Sequence, residues 1–111
     1  MKLKEVYAPG RAAWRSWLHK NHDKETRIWL ILYKKHSAVP SVKPEEAVEE
    51  ALCFGWIDSK ANKRDEDHYV LLIAARRKGS VWSKINKKRV ARLLREGRMT
   101  KAGLQKIEEA K

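Results

Sequence analysis

Asn86 and Arg89 are the polar residues in this chain that most need a partner. In the stretch SVWSKINKKRV they fall on the same helical stripe as Trp82, Ile85, Val90 and Leu93. Lys84, Lys87, Lys88 and Arg95 point away from that stripe and read as solvated. An unsatisfied buried polar group costs about 1–3 kcal/mol, and a bare charge costs more. Two partners are open. One is internal: Asp58, the first acid after the Gly55-Trp56-Ile57 turn, forming a buried bidentate pair with Arg89. The other is external: an anionic ligand in a cleft beside that turn, lined by Asp58, Trp82, Asn86 and Arg89. Neither is catalytic chemistry.

Pieces for covalent or acid–base work are sparse. Ser59 or Ser83 with His68 and Asp58 would be the parts of a small hydrolase or transferase. The chain holds no G-x-S-x-G, H-E-x-x-H, P-loop or G-x-G-x-x-G pattern to organise them. His19 and His22 lie three apart with no third ligand nearby, so they read as surface residues and no metal site is expected. The single Cys53 excludes an intramolecular disulfide and sits in an apolar run, as a small core residue does. No cofactor is expected.

These residues depend on the elements that hold them. EEAVEEALCFGWIDS, Glu45 to Ser59, reads as a helix, a glycine stop, a short buried strand and then a carboxylate beside a hydroxyl. Pro44 suits the first helical turn, and Glu45, Glu46, Glu49 and Glu50 load the end that the helix dipole favours. Ala47, Val48, Ala51 and Leu52 give the buried face, and Gly55 the stop. Asp58 on this view is either a turn former or a site group. Pro9 to Asn21 forms a helix whose Trp14, Trp17 and Leu18 make a core face, the alternative being a base-stacking platform. TRIWLILYK (Thr26–Lys34) is the clearest strand. Both of its alternating sets are apolar, which predicts a central strand with helices covering both faces of the sheet. Tyr69 to Ala74 reads as a second such strand and pairs with Trp56–Lys60 as a hairpin with a long polar loop. Ser80 caps a helix over Val81–Glu96, Gly97 ends it, and Thr100 caps a final helix from Lys101 to Ala110 that is marginal by itself. A short edge strand is possible near Val6. The expected fold is one α+β domain over residues 1–111, with a small mixed sheet of about three strands in the order α-β-α-β-β-α-α, packed with helices.

Charge is the strongest compositional signal. The chain carries 26 Lys/Arg against 14 Asp/Glu, a net of +12. Residues 1–59 hold ten basic and eight acidic residues, and residues 60–111 hold sixteen and six. Such a field draws polyanions. A nucleic-acid surface would use Arg76, Arg77, Lys78 and the outward Lys84, Lys87, Lys88 and Arg95; the alternative is a basic face that only keeps the protein soluble. No 18-residue apolar run predicts a membrane span, and MKLKEVYAPGR has no apolar signal core, so the cytoplasm is the expected location. Five Trp in 111 residues leave room for a homodimer patch.

Taken together, Glu45–Ser59, Ser80–Val90 and GRMTKAGL (Gly97–Leu104) resemble the bacteriocin-protection family, also called YdeI/OmpD-associated proteins. WRSWLHKNH and IWLILYKKHSAVPS fit as well, so the likeness covers nearly the whole chain. The resemblance implies a small α+β protein without an assigned reaction, protection against bacteriocins or cationic antimicrobial peptides, and association with an outer-membrane porin. It marks Gly55, Trp56, Asp58, Trp82, Ser83, Asn86, Arg89, Gly97, Arg98 and Met99, which adds Ser83 to the ligand-binding set. The sequence departs from the family pattern at His36–Val39, where a Gly-rich loop is usual, and at Ala74–Arg77, where a Pro often follows the strand. The partner implied is an unknown protein or an anionic ligand.

Overall fold

The structure is a computed structural model that describes residues 3–76 and 83–110. Its elements run β1 (Glu5–Tyr7), α1 (Arg11–Asn21), β2 (Arg27–Tyr33), α2 (Pro44–Cys53), β3 (Trp56–Lys63), β4 (His68–Ala75), α3 (Lys84–Arg95) and α4 (Lys101–Ala110). The fold is α+β. The sheet has four strands in the order β1-β2-β4-β3, the fourth being the short edge strand at Val6. β1 runs parallel to β2, while β4 is antiparallel to both β2 and β3. The strand–helix–strand unit β2-α2-β3 therefore joins two parallel strands, with β4 inserted between them.

α2 is the hub. Its first turn is fixed by Pro44 and by Glu46, whose carboxylate accepts from the Lys43 N–H at 3.1 Å. Its Ala47, Val48, Ala51, Leu52 and Cys53 are buried. They join Trp14 and Leu18 of α1, Ile28, Leu30 and Leu32 of β2, Trp56, Ile73, and Val90 and Leu93 of α3 in one core. Trp14 is fully buried, and its indole N–H donates to the Ala47 carbonyl at 3.0 Å. Trp17 stacks on Trp14 at 5.5 Å and meets Trp56 edge-on at 6.2 Å, so the tryptophan pair of α1 is a core face.

Gly55, at φ +78, turns the chain from α2 into β3. The carbonyl of Cys53, at the end of α2, accepts from the Thr100 N–H at 3.0 Å and from its hydroxyl at 2.6 Å. The same hydroxyl accepts from the Gly103 N–H at 3.2 Å, so Thr100 caps α4 and ties it to the end of α2. A Cβ on Gly103 would collide with the Cys53 carbonyl. The glycine that weakens this helix in isolation is what lets it dock.

Among the described residues, helices do not cover both faces of the sheet. Only one face of the sheet is packed into the core: Ile28, Leu30 and Leu32 are buried there, whereas Trp29, Ile31 and Tyr33 on the other face are partly exposed. Alternation of two apolar sets identifies a strand but not what covers each set. Here the second set is shielded by side chains: Lys60 Nζ and Arg64 Cζ stand 5.9 and 5.6 Å from the Trp29 ring centroid.

Candidate functional site

The helix Lys84–Arg95 is capped by Ser83, not by the expected Ser80, which lies outside the described residues; the Ser83 hydroxyl accepts from the Asn86 N–H at 3.1 Å. Asn86 is buried and Arg89 half-buried, as the stripe predicts. They partner each other: Arg89 Nη1 donates to Asn86 Oδ1 at 3.0 Å, one turn along the same helix. No ion pair joins Arg89 to Asp58 among the described residues. Asp58 sits half-buried on β3 in register with Ile73. Trp82, with Arg77 and Lys78, lies outside the described residues. Of that set, the described residues form a helix cap at Ser83 and an Asn86–Arg89 pair one turn along α3.

The hydrolase pieces are also apart. Ser83 is occupied by the cap. Ser59 reaches only the Leu72 carbonyl, at 3.5 Å. His68 bonds Asp65 at 2.9 Å and lies five residues along β4 from the level of Asp58, about 17 Å at the strand rise. Ser59 lies at the level of Leu72, four residues along β4 from His68, so that serine and base are out of reach of each other. Among the described residues no group of three His, Cys, Asp or Glu gathers as metal ligands, and no helix is long and apolar enough to cross a membrane.

The densest charge cluster was missed by the sequence reading. Glu50 is fully buried in α2 and is held by three arginines. Arg11 Nε donates to Oε2 at 2.5 Å, Arg15 Nη1 to Oε1 at 2.7 Å, and Arg98 Nη2 to Oε2 at 3.3 Å. Arg15 Nη2 also donates to the Arg98 carbonyl at 2.9 Å. Glu49 takes Arg11 Nη2 at 2.8 Å and Arg92 Nη2, which carries the network onto α3. Burial opposes the charge on Arg11 and Arg15, but the hydrogen bonds to Glu50 outweigh it and leave both guanidiniums more basic than usual. Burial, reinforced by the Glu50 charge, pushes the Cys53 thiol up, so that sulfur is held protonated. The signal for Glu50 was its spacing: three residues after Ala47 and four before Phe54, it lies on the buried stripe. Arg11 and Arg15, four apart on α1, face it. The marked Gly97, at φ +70, ends α3 and places Arg98 in this clasp, while Met99 packs on the core. What this cluster does is join α1, α2, α3 and the turn after α3.

Two clefts among the described residues are open to solvent. A cleft of about 460 Å³ lies at the start of α2, between Tyr33, Lys34, Lys35, Val39, Lys43 and Pro44. A shallower one of about 440 Å³ lies along the outer side of α3, lined by Ile85, Lys88, Arg89, Ala91, Arg92 and Arg95. Lys84, Lys87, Lys88 and Arg95 are exposed, as expected, whereas Ile85, expected on the buried stripe, is 63% exposed at the flank of the helix. Arg76 departs from the expected basic surface. It is 5% exposed at the end of β4, where its N–H bonds the Gly55 carbonyl at 2.9 Å, and burial lowers the basicity of its guanidinium. It cannot present a charge to a phosphate backbone from there.

Comparison with the curated proteins and with the solved structures returns no match. A family model described as Domain of unknown function (DUF8412) matches residues 6–106, nearly the whole chain, and the protein belongs to that family.

Proposed function

We propose that this protein is a non-enzymatic, cytoplasmic binder of nucleic acid that uses the outer face of α3. The observation carrying this reading is the row of exposed Lys84, Lys87, Lys88 and Arg95 beside a shallow cleft that Arg89 and Arg92 also line. A duplex presents a regular row of phosphates, and cations spaced along one helix face meet it without base contacts. The +12 net charge adds long-range attraction. The scattered Ser59, His68, Asp58 and Ser83 give catalysis no comparable support.

The resemblance to bacteriocin-protection proteins suggests a different partner, a cationic peptide. A strongly basic surface repels such a peptide, so charge favours the polyanion. The two are separated by fluorescence anisotropy at low salt with a labelled nucleic-acid duplex. The expected result is binding that a Lys84→Gln, Lys87→Gln, Lys88→Gln triple variant largely loses while its thermal unfolding is unchanged. Absence of binding by the native chain would remove this reading.

A further inference from the structure

The face of the sheet turned away from the helices is separate from the α3 surface and from the Glu50 cluster. Register places Tyr7 beside Ile31, Val70 on the other side of Ile31, Leu72 beside Trp29 and His68 beside Tyr33, all on that face. Val70 is fully buried although it is not part of the main core, so these side chains form a second, thinner apolar layer. Its rings are partly exposed, Trp29 beneath the stems of Lys60 and Arg64. Tyr7 is 44% exposed and meets Tyr33 edge-on at 5.9 Å, and Tyr33 lies 5.0 Å from the His68 ring. Trp29 is four residues from Tyr33, about 13 Å along the strand, so the two offer separate stacking stations. The face is also cationic. Lys60 and Arg64 lie over the Trp29 ring, and the exposed Arg27 opens β2 on the same side. Glu5 is the acid there, 3.5 Å from Arg64.

We propose that this open sheet face binds single-stranded RNA, with unpaired bases stacking on Trp29 and on the Tyr7–Tyr33 pair and phosphates meeting Lys60, Arg64 and Arg27. The proposal rests on the nucleic-acid reading and specifies the strand state and the surface. Aromatic rings on a sheet with flanking cations suit unpaired bases, because every base has a π-face and every linkage a charge. A paired base hides that face. Lys60 and Arg64 now cover Trp29 with long stems, and a base arriving on the ring sends their charged ends to the adjacent phosphates. Asn62, exposed and in register with Val70, brings a donor and an acceptor to this face for a 2′-hydroxyl. A second copy of the chain fits poorly: a two-fold contact over this face would gather Arg27, Lys60 and Arg64 of both copies into one interface.

The test is anisotropy at low salt with labelled oligouridylate, oligothymidylate of equal length and an RNA duplex. Native protein is compared with Trp29→Leu, Tyr33→Leu and the α3 lysine variant, each checked for folding by circular dichroism. Each ring variant is expected to weaken oligouridylate binding by about fivefold or more. Duplex binding stays unchanged in the ring variants, and oligothymidylate binds less tightly than oligouridylate. Ring variants that bind oligouridylate as the native chain does, with duplex binding intact, would overturn this inference and leave the α3 reading standing. Equal affinity for oligothymidylate would overturn the assignment to RNA. A native chain that binds none of the three would overturn both readings. Self-association abolished by Trp29→Leu would hand the face to a second copy.

Discussion

Glu50 is the residue on which the helical layer turns. A carboxylate with no exposed surface, facing three guanidiniums, is stable only while its partners stay in place. Removing one side of such a cluster leaves uncompensated charge. Arg11, Arg15 and Arg98 keep 27%, 34% and 37% of their side-chain surface exposed, so water relieves part of the loss. Glu50→Ala is therefore expected to destabilise the fold by about 3 kcal/mol, the low end for a buried pair, read from the midpoint of urea unfolding. Arg89→Ala is expected to cost less, about 1 kcal/mol, because it breaks one neutral-acceptor hydrogen bond at a half-exposed position. The sequence told which polar groups on α3 lie on its buried stripe. It did not tell their partners, because Asn86 and Arg89 satisfy each other one turn apart, whereas the distant Asp58 was the more obvious acid. Glu50 was hidden among four glutamates whose common explanation, the helix dipole, suits Glu45 and Glu46 and fails for the one that is buried.

Helix α4 and the β3–β4 hairpin carry predictions of opposite origin. In an exposed helix Gly→Ala stabilises by about 1 kcal/mol. Gly103 faces the Cys53 carbonyl with no room for a methyl, so Gly103→Ala is expected to lower the unfolding midpoint instead. A gain in stability would mean that α4 is not docked there. The hairpin turn is held by Asp65, whose carboxylate accepts from the His68 and Asp67 N–H groups at 2.9 and 2.8 Å, which keeps its pKa below the usual 3.8. A depressed folded pKa stabilises above the unfolded value and is lost as pH falls through the folded one. Amide exchange across β4 should therefore quicken as pH drops below about 3.8, beyond the intrinsic trend. Asp65→Asn should abolish that step. At this scale the sequence was largely legible: helical spacing and Gly stops located all four helices, and alternation located β2 and β4. The layer arrangement was not legible. Two apolar sets on one strand are compatible with helices on both faces or with one face kept for rings and cation stems, and only the tertiary packing decides between them.

At the largest scale, the described residues form one core with four helices on the packed side of a mixed sheet, and with the basic excess of the second half they give a protein with two cationic surfaces. The α3 face presents lysines and arginines in a row, and the far side of the sheet presents rings with cations at hand. Both depend on charge that composition alone announced. What composition could not show is that Arg76 is buried, and that Arg11, Arg15, Arg92 and Arg98 are engaged by Glu49 and Glu50. The most direct test of the account is the affinity for a nucleic-acid duplex measured across a range of salt. Four exposed cations on α3 predict that log K falls linearly with log salt, with a slope of roughly −3 to −4, and that Lys87→Gln with Lys88→Gln makes the slope shallower by about 2. Affinity that is undetectable at low salt, or that does not change with salt, would contradict it.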